Sequence, residues 1–336
     1  PSCAGCARKE TDVLRLPPLE VARPDSLAAA LDLLGRPGAR ALAGGTDLLP
    51  ALKNRRQEAR LLVLLEDLPE LAGVELRPGE LILGAALRLA DLAAHPLVLQ
   101  TVPVLAQAAA RAASPQIRNR GTLGGNLCLA TRCRYLDRPE LGRRAIGGCL
   151  RWQGERCHVV PGGRRCVAAL SSDLVPVLVA LEASLEVAGP GGERRLALAR
   201  LYQADGRDHL ALGPGELIRA VRLPLPGPTS RLAYRKWARR QSIDFPLVSA
   251  AVRLEIEEGR MLGGMVVVGV LGPRPRVVSL EEFRGHPADL RLARQIGERV
   301  KATCKPLPNV PYDPDYRRHR LGIEVQRAVA SLVEAP

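Results

Sequence analysis

Short apolar runs alternate with helically periodic segments through the first two thirds of the chain. The spacing of apolar positions is the primary signal of secondary structure, so the runs predict strands and the periodic segments predict helices. The predicted strands span 19–22, 39–42, 61–65 and 81–85, and the clearest predicted helices span 27–34 and 104–113. Strands and helices alternating in this way are typical of an α/β domain.

The final third of the chain has a different order of elements. Prolines crowd into 224–228 without a periodic pattern, so a domain boundary is predicted there. Earlier in the chain, 174–182 is largely apolar and fits either a helix or a buried strand. Beyond the boundary, three strands are predicted at 232–237, 249–255 and 265–270. Two helices are predicted to follow them, at 289–301 and 316–333. Strands followed by helices indicate a smaller α+β domain.

Two glycine-rich turns stand out in the α/β region. The first, Ala-Gly-Gly-Thr-Asp at 43–47, follows a predicted strand, and the second, Gly-Thr-Leu-Gly-Gly-Asn, occupies 121–126. A turn of the first kind can direct successive backbone N–H groups toward a phosphate at a helix start, although an ordinary strand-to-helix turn has the same composition. Neither turn has the G-x-G-x-x-G spacing of a Rossmann fold. Two such turns together favour a dinucleotide, which has both a pyrophosphate and a ring system to hold.

Four cysteines follow the second turn with the spacing C-x15-C-x7-C-x8-C, namely Cys133, Cys149, Cys157 and Cys166. Their segment is rich in Gly and Arg and poor in large apolar residues, so it has little hydrocarbon of its own to fold around. Four thiolates at one centre would hold it, either as a [4Fe–4S] cluster or as structural zinc. Zinc is the weaker reading because no tight C-x2-C pair occurs there. Spacing alone also leaves open an exchange of Cys128 for Cys133.

The chain carries a net charge of +14, which could indicate a nucleic-acid partner. Only five of its 49 basic residues are Lys, aromatic residues make up 3% of the chain, and no groove-reading motif is visible, so nucleic acid is not the expected partner. Between residues 111 and 165 the chain has twelve Arg and only three acidic residues. That surplus would offset a thiolate-ligated cluster, attract an acidic electron-transfer protein, or form a solvated basic surface.

Length and hydropathy set the broad class. With 336 residues and 46% hydrophobic content, the chain can bury two or three modest cores. No run of eighteen apolar residues and no secretory signal are visible, so we expect a cytoplasmic protein that does not enter a membrane and whose thiols stay reduced.

Residues 1–12 are polar and are expected to be a mobile leader; the role of Cys3 and Cys6 there stays open. The five histidines form no pair with metal or triad spacing, which fits a protein whose chemistry belongs to its cofactors.

The two turns, with Asp173, 236–244 and Tyr-Arg-Arg at 316–318, resemble the FAD-binding subunit of the xanthine oxidase family of molybdenum hydroxylases. The resemblance implies an α+β chain with a two-part FAD-binding α/β domain of the PCMH type, as in CO dehydrogenase flavoprotein, and a smaller C-terminal α+β domain. It divides the chain into a leader, two FAD-binding subdomains and the C-terminal domain, at 1–12, 13–57, 58–223 and 229–334.

An insertion at about 128–168 distinguishes the chain from most flavin subunits of that family. The sequence Gly-Asn-Leu-Cys-Leu-Ala-Thr-Arg-Cys at 125–133, Cys-His-Val at 157–159 and Arg-Cys at 165–166 are similar to the β subunits of the 4-hydroxybenzoyl-CoA reductase branch. The resemblance implies that the insertion holds a [4Fe–4S] cluster, with Cys133, Cys149, Cys157 and Cys166 as its ligands.

The same resemblance implies an FAD site and a function. The first turn would lie at the pyrophosphate and the second near the ring or ribitol, and the full set of implied contacts is Leu42, Ala43, Gly44, Gly45, Thr46, Asp47, Leu48, Thr122, Gly125, Asn126, Asp173 and Lys236. The chain would be an electron-transfer subunit without substrate chemistry of its own. Its implied partners are an acidic ferredoxin as electron donor, a small [2Fe–2S] subunit and a large molybdenum-cofactor subunit, assembled as a dimerised heterotrimer. The implied reaction is the reductive dehydroxylation of an aromatic acyl-CoA.

Three alternative functions remain open at this point. The chain could be the flavin subunit of a molybdenum aldehyde or xanthine-type oxidoreductase, since some of those subunits also carry a cluster insertion. It could be a flavoprotein with a structural zinc site. It could also be a basic nucleic-acid-binding module, which would show salt-dependent affinity for DNA or RNA.

Overall fold

The computed structural model describes residues 14–334, which form three β-sheets with helices packed between and against them. The first sheet is small and parallel, with strand order β1-β3-β2. Its strands and the helices between them are β1 (Glu20–Ala22), α1 (Leu27–Leu34), β2 (Ala39–Leu42), α2 (Leu48–Lys53) and β3 (Leu61–Leu64). Ser26 is the N-cap of α1, and its side chain accepts a hydrogen bond from Ala29 N at 3.3 Å.

The second sheet has five antiparallel strands in the order β4-β5-β8-β6-β7. These are β4 (Val74–Arg77), β5 (Glu80–Gly84), β6 (Ser184–Gly189), β7 (Gly192–Ala197) and β8 (Leu217–Pro224). The helices of this region are α3 (Leu89–Ala94), α4 (Pro96–Thr101), α5 (Pro103–Ala110), α6 (Pro115–Arg118), α7 (Leu123–Leu127) and α9 (Leu174–Ala180), with α8 described below. The predicted helix over 104–113 ends early because Ala113 adopts a φ of +46° and Ser114 then caps α6.

The third sheet and two long helices make up the C-terminal part. Its strand order is β12-β11-β10-β9, all antiparallel. The elements are β9 (Ser230–Trp237), β10 (Val248–Glu257), β11 (Arg260–Gly269), β12 (Arg276–Ser279), α10 (Leu290–Thr303) and α11 (Pro314–Val333). Strand β12 was not predicted, because four residues at a sheet edge carry little periodic signal.

Every residue of helix α9 is buried. It contacts α5 on one side and β10 and β11 on the other. A helix that is apolar all round has to be surrounded by protein, which explains why its sequence did not distinguish it from a buried strand. Alternate residues of β10 face opposite ways, so Ala251 packs in the core of α9 while Val252 and Leu254 pack in the core of α10 and α11. The C-terminal sheet is therefore covered on both faces.

The two ends of the cysteine segment lie side by side. Arg132 and Ala169 form an antiparallel bridge with two backbone hydrogen bonds of 2.8 and 2.7 Å, so residues 133–168 form a closed excursion. Its single helix in the described chain is α8 (Glu140–Ala145). The segment has a small apolar cluster of its own, made of Cys133, Leu136, Trp152, Cys157, Val159, Cys166 and Ala168. The expectation that it lacks hydrocarbon to fold around is thus only partly right, since three of these seven residues are the cysteines themselves.

No helix within residues 14–334 combines the length and the apolar character that crossing a bilayer would require.

A close contact between α10 and α11 at Gly297 generates a stability prediction. An added Cβ at Gly297 would lie 2.8 Å from Gly322 O and 3.0 Å from Gln326 Cβ. We expect Gly297→Ala to lower the free energy of unfolding by about 1–2 kcal/mol, measured by urea denaturation, because overpacking exceeds the gain of about 1 kcal/mol in helix propensity. Gly142→Ala in α8 is the matched control, since its nearest neighbour would be Arg138 Cβ at 3.4 Å. A Gly297→Ala protein as stable as the wild type would contradict this packing.

Candidate functional site

A deep cleft with a volume of about 1280 Å³ runs through the α/β region. It exceeds the roughly 300–1,000 Å³ of most small-molecule sites, so it has room for a ligand of dinucleotide size. Both glycine turns line it, as do the 207–218 loop and Ile243, Asp244 and Phe245 of the C-terminal part. The structure therefore brings together two motifs that are about eighty residues apart in the sequence.

The two turns touch each other directly, and this contact requires glycine. A Cβ at Gly44 would lie 1.9 Å from Arg120 O, and Gly45 has a φ of +71°. Position 44 has no room for a side chain, and position 45 uses a conformation that favours glycine. No N–H group of residues 44–47 donates to an acceptor within the described chain. These N–H groups stand at the cleft wall and are free to bind an anion.

The second turn is held from behind. Thr122 Oγ1 accepts a hydrogen bond from Gly125 N at 3.1 Å, and Gly124 N donates to Ala85 O at 2.8 Å. An added Cβ at Gly124 would lie 3.0 Å from Ala85 Cβ, so this turn also needs its glycine for close approach. The side chain of Asn126 accepts from Ser172 Oγ at 2.6 Å. The implied ligand contacts Thr122, Gly125 and Asn126 therefore lie together on one rigid wall of the cleft.

The two acidic residues implied as FAD contacts are both engaged by protein partners. Asp47 does not cap α2; its carboxylate accepts from Ala130 N at 3.0 Å and pairs with Arg132. It thereby ties the first glycine turn to the start of the cysteine segment. Asp173 lines the cleft and accepts from Tyr234 Oη at 2.8 Å, and it pairs with Lys236 Nζ at 3.0 Å.

Lys236 lies behind Asp173 and is not among the residues that line the cleft. Burial raises the pKa of Asp173 from its ordinary value, while Lys236 and Tyr234 act in the opposite direction and favour its charged form. The structure thus places Lys236 where it can orient Asp173. A direct contact of Lys236 with a ligand in the cleft would need a rearrangement of this pair.

The four cysteines of the insertion line a second, much smaller cavity. Cys133, Cys157 and Cys166 are buried and Cys149 is half-buried, whereas Cys128 lies on the wall of the large cleft. Burial raises the pKa of Cys133 to about 11, so that thiol is protonated at neutral pH in this arrangement, and a metal centre would have to displace its proton. No group of three or more His, Cys, Asp or Glu side chains in residues 14–334 is spaced to hold a metal ion. Cys3 and Cys6 lie outside the described residues.

Two functional candidates carry no sequence signal. Arg151 lines both cavities, and its guanidinium donates to Thr131 O at 2.8 Å. His209 lines the cleft at 7% exposure, with Nε2 3.0 Å from Leu129 O. Burial lowers the pKa of His209 to about 4, so its neutral ring donates that hydrogen bond at neutral pH. One Arg among twelve and one isolated His offer no pattern from which these positions could have been found.

Comparisons with known proteins cover almost the whole chain. The family model "FAD binding domain in molybdopterin dehydrogenase" matches residues 17–226, and "CO dehydrogenase flavoprotein C-terminal domain" matches 233–332. The chain is 38% identical over 249 residues to the aldehyde oxidoreductase FAD-binding subunit of Escherichia coli, covering 70% of this chain and 78% of that one. It is 30% identical over 320 residues to the carbon monoxide dehydrogenase medium chain of Afipia carboxidovorans, covering 84% and 96%.

Solved structures agree with this result. A Cu,Mo-CO dehydrogenase chain superposes with a TM-score of 0.75 at 25% identity, covering 95% of this chain and 99% of that one. Quinoline 2-oxidoreductase from Pseudomonas putida 86 gives a TM-score of 0.79 at 23% identity, with coverage of 95% and 98%, and supports the fold. The predicted fold, a mixed α/β FAD-binding domain followed by a C-terminal domain as in CO dehydrogenase flavoprotein, is confirmed.

The first glycine turn yields a prediction for flavin binding. Gly44→Ala would force the two turns apart, because its Cβ meets Arg120 O. We expect the apparent affinity for FAD to fall at least about tenfold, equivalent to about 1.4 kcal/mol, as measured by flavin fluorescence titration of the folded apoprotein. Gly191→Ala, at a hairpin turn with open space around it, should bind FAD as the wild type does. Unchanged affinity in Gly44→Ala would show that the ligand does not depend on this contact.

His209 yields a pH prediction. Its pKa in the folded protein, about 4, lies below the ordinary value of 6.5, so its contribution to stability is present above pH 6.5 and is lost as the pH falls toward 4. Between pH 7 and pH 5 the wild type should therefore lose about 2 kcal/mol more unfolding free energy than His209→Gln, measured by urea denaturation at each pH. Parallel pH profiles for the two proteins would mean that His209 is not held neutral.

Two adjoining family models, two relatives at or above 30% identity and the CO dehydrogenase superposition all agree with the paired glycine turns around the cleft. The chain belongs to the family of FAD-binding medium subunits of molybdenum hydroxylases, the family of CO dehydrogenase and xanthine dehydrogenase, and is an oxidoreductase subunit.

Proposed function

We propose that the chain is a cytoplasmic electron-transfer subunit that holds FAD in the large cleft and a [4Fe–4S] cluster in the cysteine cavity. The observation that carries the proposal is the convergence of Cys133, Cys149, Cys157 and Cys166 on one cavity that shares a wall residue, Arg151, with the cleft. Bound there, a flavin stores two electrons while a cluster of this type passes one at a time, so the pair links one-electron and two-electron carriers.

The residues of the cleft fit FAD. The unpartnered N–H groups of 44–47 suit the pyrophosphate, because they offer donors and add no competing side chain at positions 44 and 45. Thr122, Gly125 and Asn126 would contact the ring or ribitol, with Asp173 beside them. Lys236 would act by holding Asp173 in place, and Asp47 by fastening the first turn to the insertion.

The residue types around the smaller cavity suit an iron–sulfur cluster, although the four thiols would have to move closer together to ligate one, since no three of them within residues 14–334 are spaced for a metal ion. Cysteine thiolates are the usual ligands of a [4Fe–4S] centre, and four of them line this cavity while Cys128 does not. The segment that forms this cavity also carries exposed arginines, including Arg134, Arg138 and Arg156. Because exposed charges are screened by water and salt, these arginines would have little effect on the cluster potential and would favour an acidic ferredoxin as the external electron carrier. The remaining partners in the proposal are a large molybdenum-cofactor subunit and a small [2Fe–2S] subunit, in a dimerised heterotrimer.

Two substrate classes are in competition, and a different observation favours each. The 38% identity to an aldehyde oxidoreductase FAD-binding subunit favours a complex that oxidises aldehydes. The sequence around 125–133 and 157–159 resembles 4-hydroxybenzoyl-CoA reductase and favours reductive dehydroxylation of an aromatic acyl-CoA. We place the aldehyde function first, because its support spans 70% of the chain. Assaying the purified complex with aromatic aldehydes plus an electron acceptor, and with 4-hydroxybenzoyl-CoA plus a reduced low-potential donor, would separate the two.

Cofactor analysis tests the proposal itself. Anaerobically purified protein is expected to contain about four iron atoms, four sulfides and one FAD per chain, the composition of a single [4Fe–4S] cluster with one flavin. Cys149→Ser should lose most of the iron and the EPR signal of the reduced cluster while keeping FAD, because Cys149 does not line the cleft.

Cys304→Ser is the matched control, since Cys304 is buried in the C-terminal core, and it should retain full iron content. Zinc in place of iron would refute the electron-transfer role of the insertion while leaving the flavin site intact. Equal loss of iron and FAD in Cys149→Ser would show that the segment instead supports the whole fold.

A further inference from the structure

Arg151 is the one described residue that lines both the flavin cleft and the cysteine cavity. It follows Cys149 by two positions and lies opposite Thr131, next to the Arg132 and Ala169 pair that closes the insertion. Its side chain thus occupies the wall between the two sites. Arg151 would therefore form part of the wall of a cofactor site on either side.

The guanidinium is a partly buried cation whose partners are all neutral. It donates to Thr131 O at 2.8 Å and to Thr131 Oγ1, and no carboxylate of residues 14–334 forms an ion pair with it. Arg132, by comparison, pairs with Asp47. Taking a cation out of water is costly unless an anion compensates, so an unpaired Arg in this position indicates that a negative group belongs nearby.

The charged neighbours of Arg151 come from both sides of the wall. Asp47 in the first glycine turn and Asp137 in the insertion are nearby carboxylates, and Arg132 is a nearby cation. Both carboxylates already have arginine partners, Asp47 with Arg132 and Asp137 with Arg56 at 2.7 Å. Neither of these carboxylates therefore neutralises the charge of Arg151 through an ion pair.

Arg151 is also fixed in position. Thr131 is 1% exposed, and its hydroxyl, which accepts from Arg151, lies 3.3 Å from Gly206 O as a donor. Gly206 N in turn donates to Cys166 O at 2.8 Å, so the hydroxyl that holds Arg151 is connected to the backbone of one of the four cysteines. These hydrogen bonds restrain the guanidinium at the wall.

We infer that the positive charge of Arg151 acts on both cofactor sites and raises the reduction potential of the cluster. The inference rests on the proposed function, since it needs a redox centre in the cysteine cavity. Reduction adds a negative charge to the cluster, and a fixed cation across a low-dielectric wall stabilises the reduced form more than the oxidised form. The same charge lies at the edge of the cleft, where it favours an anionic ligand.

The test is an EPR-monitored redox titration of the cluster in the intact complex, with iron and FAD contents measured on the same samples. Arg151→Gln removes the charge and is expected to lower the ratio of reduced to oxidised cluster about tenfold at a fixed potential, a shift of about 59 mV for a one-electron couple. Arg151→Lys keeps the charge and should shift the ratio less than about threefold, or about 28 mV. Arg164→Gln is the matched control, because Arg164 is exposed and lines neither cavity, and it should leave the ratio unchanged.

An Arg151→Gln complex with full iron content and an unchanged potential would overturn the inference. Equal shifts in Arg151→Gln and Arg164→Gln would also overturn it, since the effect would then belong to overall charge. If Arg151→Gln does not fold, Thr131→Val serves in its place: it removes the hydroxyl that holds the guanidinium and should lower the ratio by a smaller factor, and no shift would count against the inference. Absence of the [4Fe–4S] EPR signal from the wild-type complex would instead refute the proposed function.

Discussion

The buried ion pair between Asp173 and Lys236 is the interaction on which the arrangement of the site depends. Asp173 begins α9 in the FAD-binding domain, and Lys236 lies on β9 of the C-terminal sheet, so the pair joins the two domains at the wall of the cleft. Tyr234 Oη donates to the same carboxylate, and Lys236 Nζ also donates to Arg111 O at 2.9 Å. Because both charges are hydrogen-bonded, the desolvation cost is offset, whereas removal of one partner from such a pair typically costs about 3–5 kcal/mol.

Several further features follow from this junction. Ser172, the neighbour of Asp173, accepts a hydrogen bond from Val175 N at 3.1 Å and donates one to Asn126, so the second glycine turn is attached to the start of α9. The second turn in turn touches the first through Gly44. One connected set of contacts therefore runs from the domain junction to both glycine-rich turns, and it explains how a cleft between so many separate segments has a definite shape.

Arginine has an unexpected role inside this protein. Arg317 is 1% exposed and donates to the carbonyls of Leu247, Leu307 and Val270 at 2.8–3.0 Å. Arg143 likewise lies over the ring of Trp152 at 4.5 Å and donates to carbonyls of the insertion and of Asn54. The planar, multi-donor guanidinium can satisfy several carbonyl groups where strands and helices are absent, which an ammonium does less well. Part of the surplus of Arg over Lys is thus structural, and it cannot all be assigned to a docking surface.

The sequence by itself determined the order of elements, the two glycine turns, the cysteine set and the family, because each rests on local periodicity or on residue types at short spacing. It placed helix ends less well, as at Ala110, and it missed the short strands β4 and β12. Only the tertiary structure decided that Cys128 lies in the cleft apart from the other four cysteines, that Lys236 lies behind Asp173, and that Arg151 lies between the two cavities. The physical reason is the same in each case: burial and charge at these side chains come from segments tens of residues away, which meet only when the sheets and the insertion have packed.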